Sequence, residues 1–283
     1  MEVFLGNGMY VGKLIVLILM TIALTVNGQV MARDLAAILD GNHRSEENKA
    51  RDQYRHPQQV IQFLGLKPEH KVLEVWPGSG WYSEILAPYV KDKGQFYAAI
   101  FSPDNLNSDD KQRVFWSKVS QKYQEKMADT SVYGSIYYSV FDNARFESGT
   151  LPEVVDVIML VRTLHVWDER GEMQDALKSL FKVLKPGGVL GLIQHRADTI
   201  SEFASSAGDG YMDQRYVIEA AEQAGFKLEA VSEINRNDKD TKDYPKGVYA
   251  LPPTLAMGSQ DREKYQNIGE SDRMTLKFTK PVN

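Results

Sequence analysis

The sequence predicts an α/β fold: a doubly wound, mostly parallel sheet with helices on both faces. Three observations carry this. Strand-like and helix-like runs alternate over most of the chain, the pattern of successive βαβ units. Two strand-like runs, Lys71 to Trp76 and Val154 to Val161, are nearly all apolar, as strands buried on both faces are. The last two strand-like runs have only an irregular connection between them, which predicts an antiparallel edge. With 283 residues and neither repeat nor low-complexity linker, one domain from residue 33 to 283 is expected after an N-terminal segment.

That segment, residues 1–32, holds an uncharged apolar run from Leu14 to Val26 behind Lys13. Thirteen residues are too few for a spanning helix, which needs about 20. They suit the apolar region of a secretory signal peptide, about 7–15 residues long, and Ala32 is a candidate cleavage point. A retained anchor is the alternative. The expectation is an exported protein, periplasmic or secreted, that touches the membrane only through this segment if it is kept.

The remaining elements follow in order. Arg33 to Asp40 reads as a short helix, and the charged stretch Gly41 to Arg55 as a solvated face. Pro57 opens a helix that Gly65 ends. Lys71 to Trp76 is the first strand, Pro77 to Gly80 a turn, and Trp81 to Val90 a helix. Gly94 to Phe101 is the second strand, Asp109 to Met127 a charged helix and Gly134 to Phe141 the third strand. Val154 to Val161 is the fourth. Gly171 to Leu184 is a helix with Leu177, Leu180 and Leu184 on one stripe, stopped by Lys185-Pro186-Gly187-Gly188. Val189 to Gln194 is the fifth strand. Asp213 caps a helix closed by Gly225. Lys227 to Ile234 and Met274 to Phe278 are the late strands. Between them, Tyr244 to Ile268 is expected to form an ordered cover, stiffened by Pro245, Pro252 and Pro253.

Composition excludes several functions. There are 33 Lys and Arg against 38 Asp and Glu, a net charge of −5, so the positive field that phosphate backbones need is missing and no nucleic-acid partner is expected. No cysteine is present, which removes thiolate metal sites and cysteine nucleophiles. The five histidines lack ligand spacing, and no metal is expected.

In an open α/β sheet, ligands bind outside the carboxyl ends of the strands. There the first turn reads Trp76-Pro77-Gly78-Ser79-Gly80. Gly78 and Gly80 let a ligand approach the backbone, and the next helix offers free N–H groups to a phosphate or carboxylate. A tight turn without ligand is the plainer alternative. Ser83 stands at the third glycine of a dinucleotide fingerprint and Ile100 where its acid belongs, so a nicotinamide cofactor is a poor fit. No Gly-Lys-Ser/Thr follows, so a nucleotide P-loop is absent.

These residues resemble the class I S-adenosylmethionine (SAM)-dependent methyltransferases, nearest to a small exported group with a Trp-Pro-Gly-x-Gly-Trp-Tyr turn. The resemblance runs from Arg44 to Pro281. It rests on Val72-Leu73-Glu74 with Gly78-Ser79-Gly80, on Val140 to Ala144, and on Asp156 to Arg162 followed by Leu184-Lys185-Pro186-Gly187-Gly188-Val189-Leu190. It implies a Rossmann-like sheet of seven strands, the last antiparallel, and SAM as cofactor. It implies that Glu74 orients the first loop, that Gly78, Ser79 and Gly80 lie against the methionine half of SAM, and that Asp142, with Asn143 beside it, accepts from the adenine amino group. Trp76 replaces the family's first loop glycine; Pro77 biases it towards an extended backbone, from which its indole is expected to reach the cavity and stack on the cofactor. Ile100 and Phe101 stand where an acid would grip the ribose.

His165, after the fourth strand, is the candidate catalytic base, since imidazole titrates near neutrality; a packed strand-end histidine is the alternative. His195 and Arg196 are candidates to flank the acceptor, and Asp52, Arg55 and His56 to cap the pocket. The charges from Arg236 to Asp243 read as a solvated loop. The expected function is methyl transfer from SAM to a small-molecule acceptor, small or apolar. The alternative is an exported, non-catalytic protein that reuses the fold for another ligand or partner.

Overall fold

The computed structural model describes residues 35–147, 154–198 and 207–282, and the expected signal or anchor segment lies outside them. Helix α1 covers residues 35–39. The charged stretch then folds into two short helices, α2 (Glu46–Lys49) and α3 (Asp52–Arg55). It is no solvated face. Arg44 and Arg55 are each 2% exposed, because Arg44 pairs with Asp52 at 2.6 Å and Arg55 with Glu270 at 2.8 Å. Burying the guanidinium stems is compensated by those carboxylates.

Pro57 occupies the first turn of α4 (Pro57–Leu64), and Gly65 closes it in the left-handed conformation. Strand β1 (Lys71–Val75), α5 (Ser83–Val90) and β2 (Gln95–Ile100) follow, then a 3-10 turn (Pro103–Asn107) and α6 (Lys111–Lys126), capped by the Asp110 carboxylate. The short α7 (Thr130–Tyr133) leads into β3 (Ile136–Asp142). The chain turns back at once through Asn143 and Ala144, both at positive φ, into the two-residue β4 (Arg145–Phe146). Next come β5 (Val155–Val161), α8 (Leu164–Glu169), α9 (Met173–Val183) and β6 (Leu184–His195). Asp213 caps α10 (Gln214–Gln223), and β7 (Lys227–Ser232), α11 (Arg262–Ile268) and β8 (Arg273–Thr279) complete the chain.

The strands form one sheet in the order β4-β3-β2-β1-β5-β6-β8-β7. β3, β2, β1, β5 and β6 are parallel, while β8 runs antiparallel to both β6 and β7. The sheet has eight strands, not the expected seven, because β4 folds back on β3. The two late strands pair antiparallel at the sheet edge, as expected, with β8 against β6 and β7 outermost. The Lys185–Gly188 segment also belongs to β6 and is no simple turn, since Leu184 already pairs with Val155.

Side chains alternate across the sheet. Leu73, Ile158 and Leu190 pack with Leu177, Leu180 and Val217 on one face. Val72, Met159 and Ile193 pack with Ile61, Leu64, Ile85 and Leu86 on the other. Both faces are therefore covered, and the polar ends of the parallel strands are left to build a site.

Candidate functional site

A cavity of about 490 Å³ opens at the carboxyl ends of the strands, within the range of small-molecule sites. The turn after β1 forms one wall. Gly78 has φ +60, and a Cβ there would meet nothing within 4 Å, so its backbone is open to a ligand. Gly80 differs: a Cβ would lie 2.9 Å from the Tyr123 ring, so it faces the protein and does not line the cavity. Ser79 lines the cavity while its carbonyl accepts from the Lys126 ammonium at 2.9 Å.

Trp76 stands in the left-handed region at φ +49, not in the extended conformation that Pro77 favours. Its own N–H donates to the Ala99 carbonyl, and its indole N–H donates to the Phe141 carbonyl at 2.9 Å. The ring stacks on Phe101 at 4.2 Å, and Phe101 stacks on Trp116 at 5.9 Å. The three rings make an aromatic wall across the ends of β1 and β2.

Glu74 lines the cavity but is 3% exposed. It accepts from the Ser83 hydroxyl at 2.5 Å, and burial raises its pKa to about 8. Asp142 and Asn143 do not line this cavity. The Asp142 carboxylate accepts from the Asn105 amide at 2.5 Å and from the Asn143 N–H, with the Arg113 guanidinium at 3.5 Å; Asn143 accepts from Arg113.

His165 does reach the cavity. The Gln194 amide nitrogen donates to the Gly210 carbonyl, which fixes its orientation and points the same group at His165 Nδ1, 3.1 Å away. Nδ1 is thus the acceptor, Nε2 carries the proton, and Nε2 donates to the Tyr249 hydroxyl at 3.1 Å. Burial lowers the His165 pKa to about 4, so the ring is neutral near pH 7. Its lone pair is spent on Gln194, and Tyr249 stands between it and solvent. His195 is buried on Ser271, its titration also pushed down by burial. Arg196 lies elsewhere, bridging Asp272 and Glu233. His56 approaches Asn235 and Asp52 pairs with Arg44, away from the cavity lining.

Sequence reasoning missed Arg162 and Tyr249 as site residues. Arg162 follows the apolar strand β5 directly, at φ +57, and a charge ending an apolar buried strand was the available signal. Tyr249 comes from the segment expected as a cover: Val248, Tyr249, Pro252, Pro253 and Thr254 all line the cavity. The loop charges are less solvated than expected. Asp240 is buried, accepting from Tyr211 and the Asp272 N–H, because it ties this cover to β8.

No family model matches the chain, and no curated protein matches it in sequence. Its likeness is to solved structures. A SAM-dependent methyltransferase from Aquifex aeolicus shares 22% identity over 66% of this chain and 87% of its own, with a TM-score of 0.52. A [4+2]-cyclase, SpnF, shares 15% over 81% of each, with a TM-score of 0.55. A candidate sarcosine dimethylglycine methyltransferase from Galdieria sulphuraria shares 15% over 81% and 85%, with a TM-score of 0.53. The fold is that of the class I SAM-dependent methyltransferases. At these identities the likeness concerns architecture, and the cyclase carries the same architecture under a different activity.

The residues fit SAM in part. The open backbone at Gly78 suits the close approach of an amino-acid end. The Trp76–Phe101–Trp116 stack gives the cavity an apolar, aromatic side. The ribose finds Phe101 where an acid would serve, and Asp142 is already occupied. Among the described residues, no group of three His, Asp or Glu is placed to hold a metal.

Proposed function

We propose that this chain is a SAM-dependent methyltransferase acting on a small or apolar acceptor. The observation that carries the reading is the open Gly78–Ser79 turn facing a 490 Å³ cavity at the strand ends of a methyltransferase fold. The chemistry that bound SAM supplies is an electrophilic methyl group. Its transfer depends on in-line positioning more than on acid–base groups, which agrees with the sparse titratable set. Trp76, Phe101 and Trp116 hold a flat body against one wall. Tyr249 receives a proton bond from His165, which leaves its own O–H to donate to a ligand. The cover bearing Tyr249 closes one side of the cavity. Calorimetric titration with SAM and S-adenosylhomocysteine tests the reading: saturable binding is expected, and silence at millimolar ligand refutes it.

A second reading has its own observation. The Trp76 indole donates to the Phe141 carbonyl, beside the Asp142 to which the resemblance assigned the adenine amino group. An indole in that place favours a fold reused for another ligand, without catalysis. Trp76→Gly separates the two: under the second reading the substitution creates or strengthens SAM binding. We also propose export through residues 1–32. N-terminal sequencing of the native protein is expected to begin near Arg33, and a chain that keeps Met1 or Met9 contradicts this.

A further inference from the structure

We propose that the cavity's ligand carries an anionic group, a carboxylate or phosphate, that docks on Arg162, and that the acceptor is therefore a small acid with a flat apolar body. The proposal rests on the reading of the cavity as an acceptor site.

Arg162 lines the cavity, yet among the described residues its side chain has no hydrogen-bond or ion-pair partner, and its Nε is buried. Arg55 also lines the cavity. It is 2% exposed, and its Nη2 is likewise buried without a partner, although its Nε holds Glu270. Arg51 lines the cavity from the same side and shares that carboxylate at 2.8 Å, as Arg273 does at 3.0 Å. Four guanidiniums thus gather around one carboxylate, a surplus of three positive charges. The offsets nearby are partial: Glu84 acts on Arg51 but is already shared with Arg44 and Lys126, and the Trp81 ring lies against Arg55. Glu74 is held protonated by burial, and Glu169 is exposed to screening water. His165 and His195 are held neutral. Desolvation disfavours a charge on Arg162, and the field of Arg55, Arg273 and Arg51 adds to this, with Glu270 opposing it from a distance.

A cation with a buried, unpartnered donor is unfavourable in general and persists where a ligand or function compensates it. The left-handed backbone at Arg162 is a second cost at the same residue. The guanidinium fork matches carboxylate and phosphate oxygens two at a time. The rest of the cavity is apolar and aromatic, set by the Trp76–Phe101–Trp116 wall. The two parts together describe a ligand with a flat body and an acidic head.

The test uses the full chain with phenyl phosphate as probe, phenol as its neutral counterpart, and the variants Arg162→Met and Arg162→Lys. Calorimetry on the wild type is expected to show phenyl phosphate binding at least tenfold tighter than phenol. Arg162→Met should lose tenfold or more, and Arg162→Lys should fall between. Equal binding of phenyl phosphate and phenol by the wild type overturns the proposal without needing any variant to fold. So does a folded Arg162→Met that keeps its affinity. S-adenosylhomocysteine distinguishes the source of the anion. Unchanged affinity for it in Arg162→Met assigns the guanidinium to the acceptor. Loss of that affinity, with phenyl phosphate binding intact at saturating S-adenosylhomocysteine, assigns Arg162 to the cofactor's carboxylate and overturns the proposal. If phenyl phosphate binds and S-adenosylhomocysteine never does, the methyltransferase reading fails while the anion site stands.

Discussion

Replacing Arg162 by methionine is expected to raise the melting temperature of the ligand-free protein. In most proteins the loss of a half-buried arginine destabilises, because a carboxylate is left alone. Here the arginine is the uncompensated partner: no described residue pairs with it, its Nε is buried, and Arg55, Arg273 and Arg51 add repulsion. Exchanging buried charges for apolar side chains of similar volume stabilises by about 1–4 kcal/mol. Because part of the Arg162 side chain faces the cavity, the low half of that range applies, about 1–2 kcal/mol. The left-handed backbone does not enter, since methionine bears the same Cβ. At about 2–4 °C per kcal/mol for a domain near this size, the melting temperature should rise by roughly 2–8 °C. The assay is scanning calorimetry of both proteins at equal concentration, without ligand, in a buffer free of phosphate and carboxylate. A fall of 2 °C or more in the variant would refute the reasoning, because it would mean that Arg162 is already paired in the free protein.

Four further outcomes follow from named contacts. Gly80→Val is expected to destabilise by about 2–4 kcal/mol in denaturant titration, from its φ of +82 and a Cβ 2.9 Å from Tyr123, rather than to block a ligand; unchanged stability with lost SAM binding would contradict this. Glu74 has a folded pKa of about 8 against an ordinary 4.5, so its contribution is full below pH 4.5 and is lost as pH rises to 8. Between pH 6.5 and 8, where His165 stays neutral, Glu74→Gln should flatten the decline in stability, and parallel curves for the two proteins would count against it. Nitrogen NMR at pH 6 should show His165 as the neutral Nε2–H form; an imidazolium or an Nδ1–H form would break the Gln194–His165–Tyr249 relay. Limited proteolysis should spare residues 244–268, whose Tyr244, Ala250, Leu251 and Tyr265 pack together; rapid cleavage there would argue against an ordered cover.

The parallel sheet was legible because burial on both faces writes itself into the sequence as near-continuous apolar runs, as in Val155–Val161, where Asp156 is the one polar residue. Pro57 and Asp213 marked helix starts because each satisfies a local rule of backbone hydrogen bonding. The missed pieces lack a local signal. β4 is two residues long, and its turn uses Asn143-Ala144 at positive φ, without the glycine that usually announces such a hairpin. α8 has only six residues, less than two helical turns, too few to repeat an apolar pattern. In the site, Gly78 and His165 were readable from their place after a strand. Arg55 looked like a surface charge because its carboxylate, Glu270, lies 215 residues away. Pro77 favours an extended Trp76, yet hydrogen bonds to the Ala99 and Phe141 carbonyls hold it at positive φ. Tertiary hydrogen bonds overrode a local preference at the very turn where the site is built.

The most direct test of the account is an NMR titration of the full chain with S-adenosylhomocysteine, following the amides of Gly78 and Ser79 and the indole N–H of Trp76. All three line the cavity, whereas the amide of Ala230, on the outermost strand β7, lies away from it and serves as the internal control. The account predicts saturable shifts of the three cavity signals with a single dissociation constant, and a stationary Ala230. Unmoved Gly78, Ser79 and Trp76 signals at millimolar ligand would contradict it, and would leave a methyltransferase fold whose cavity serves something else.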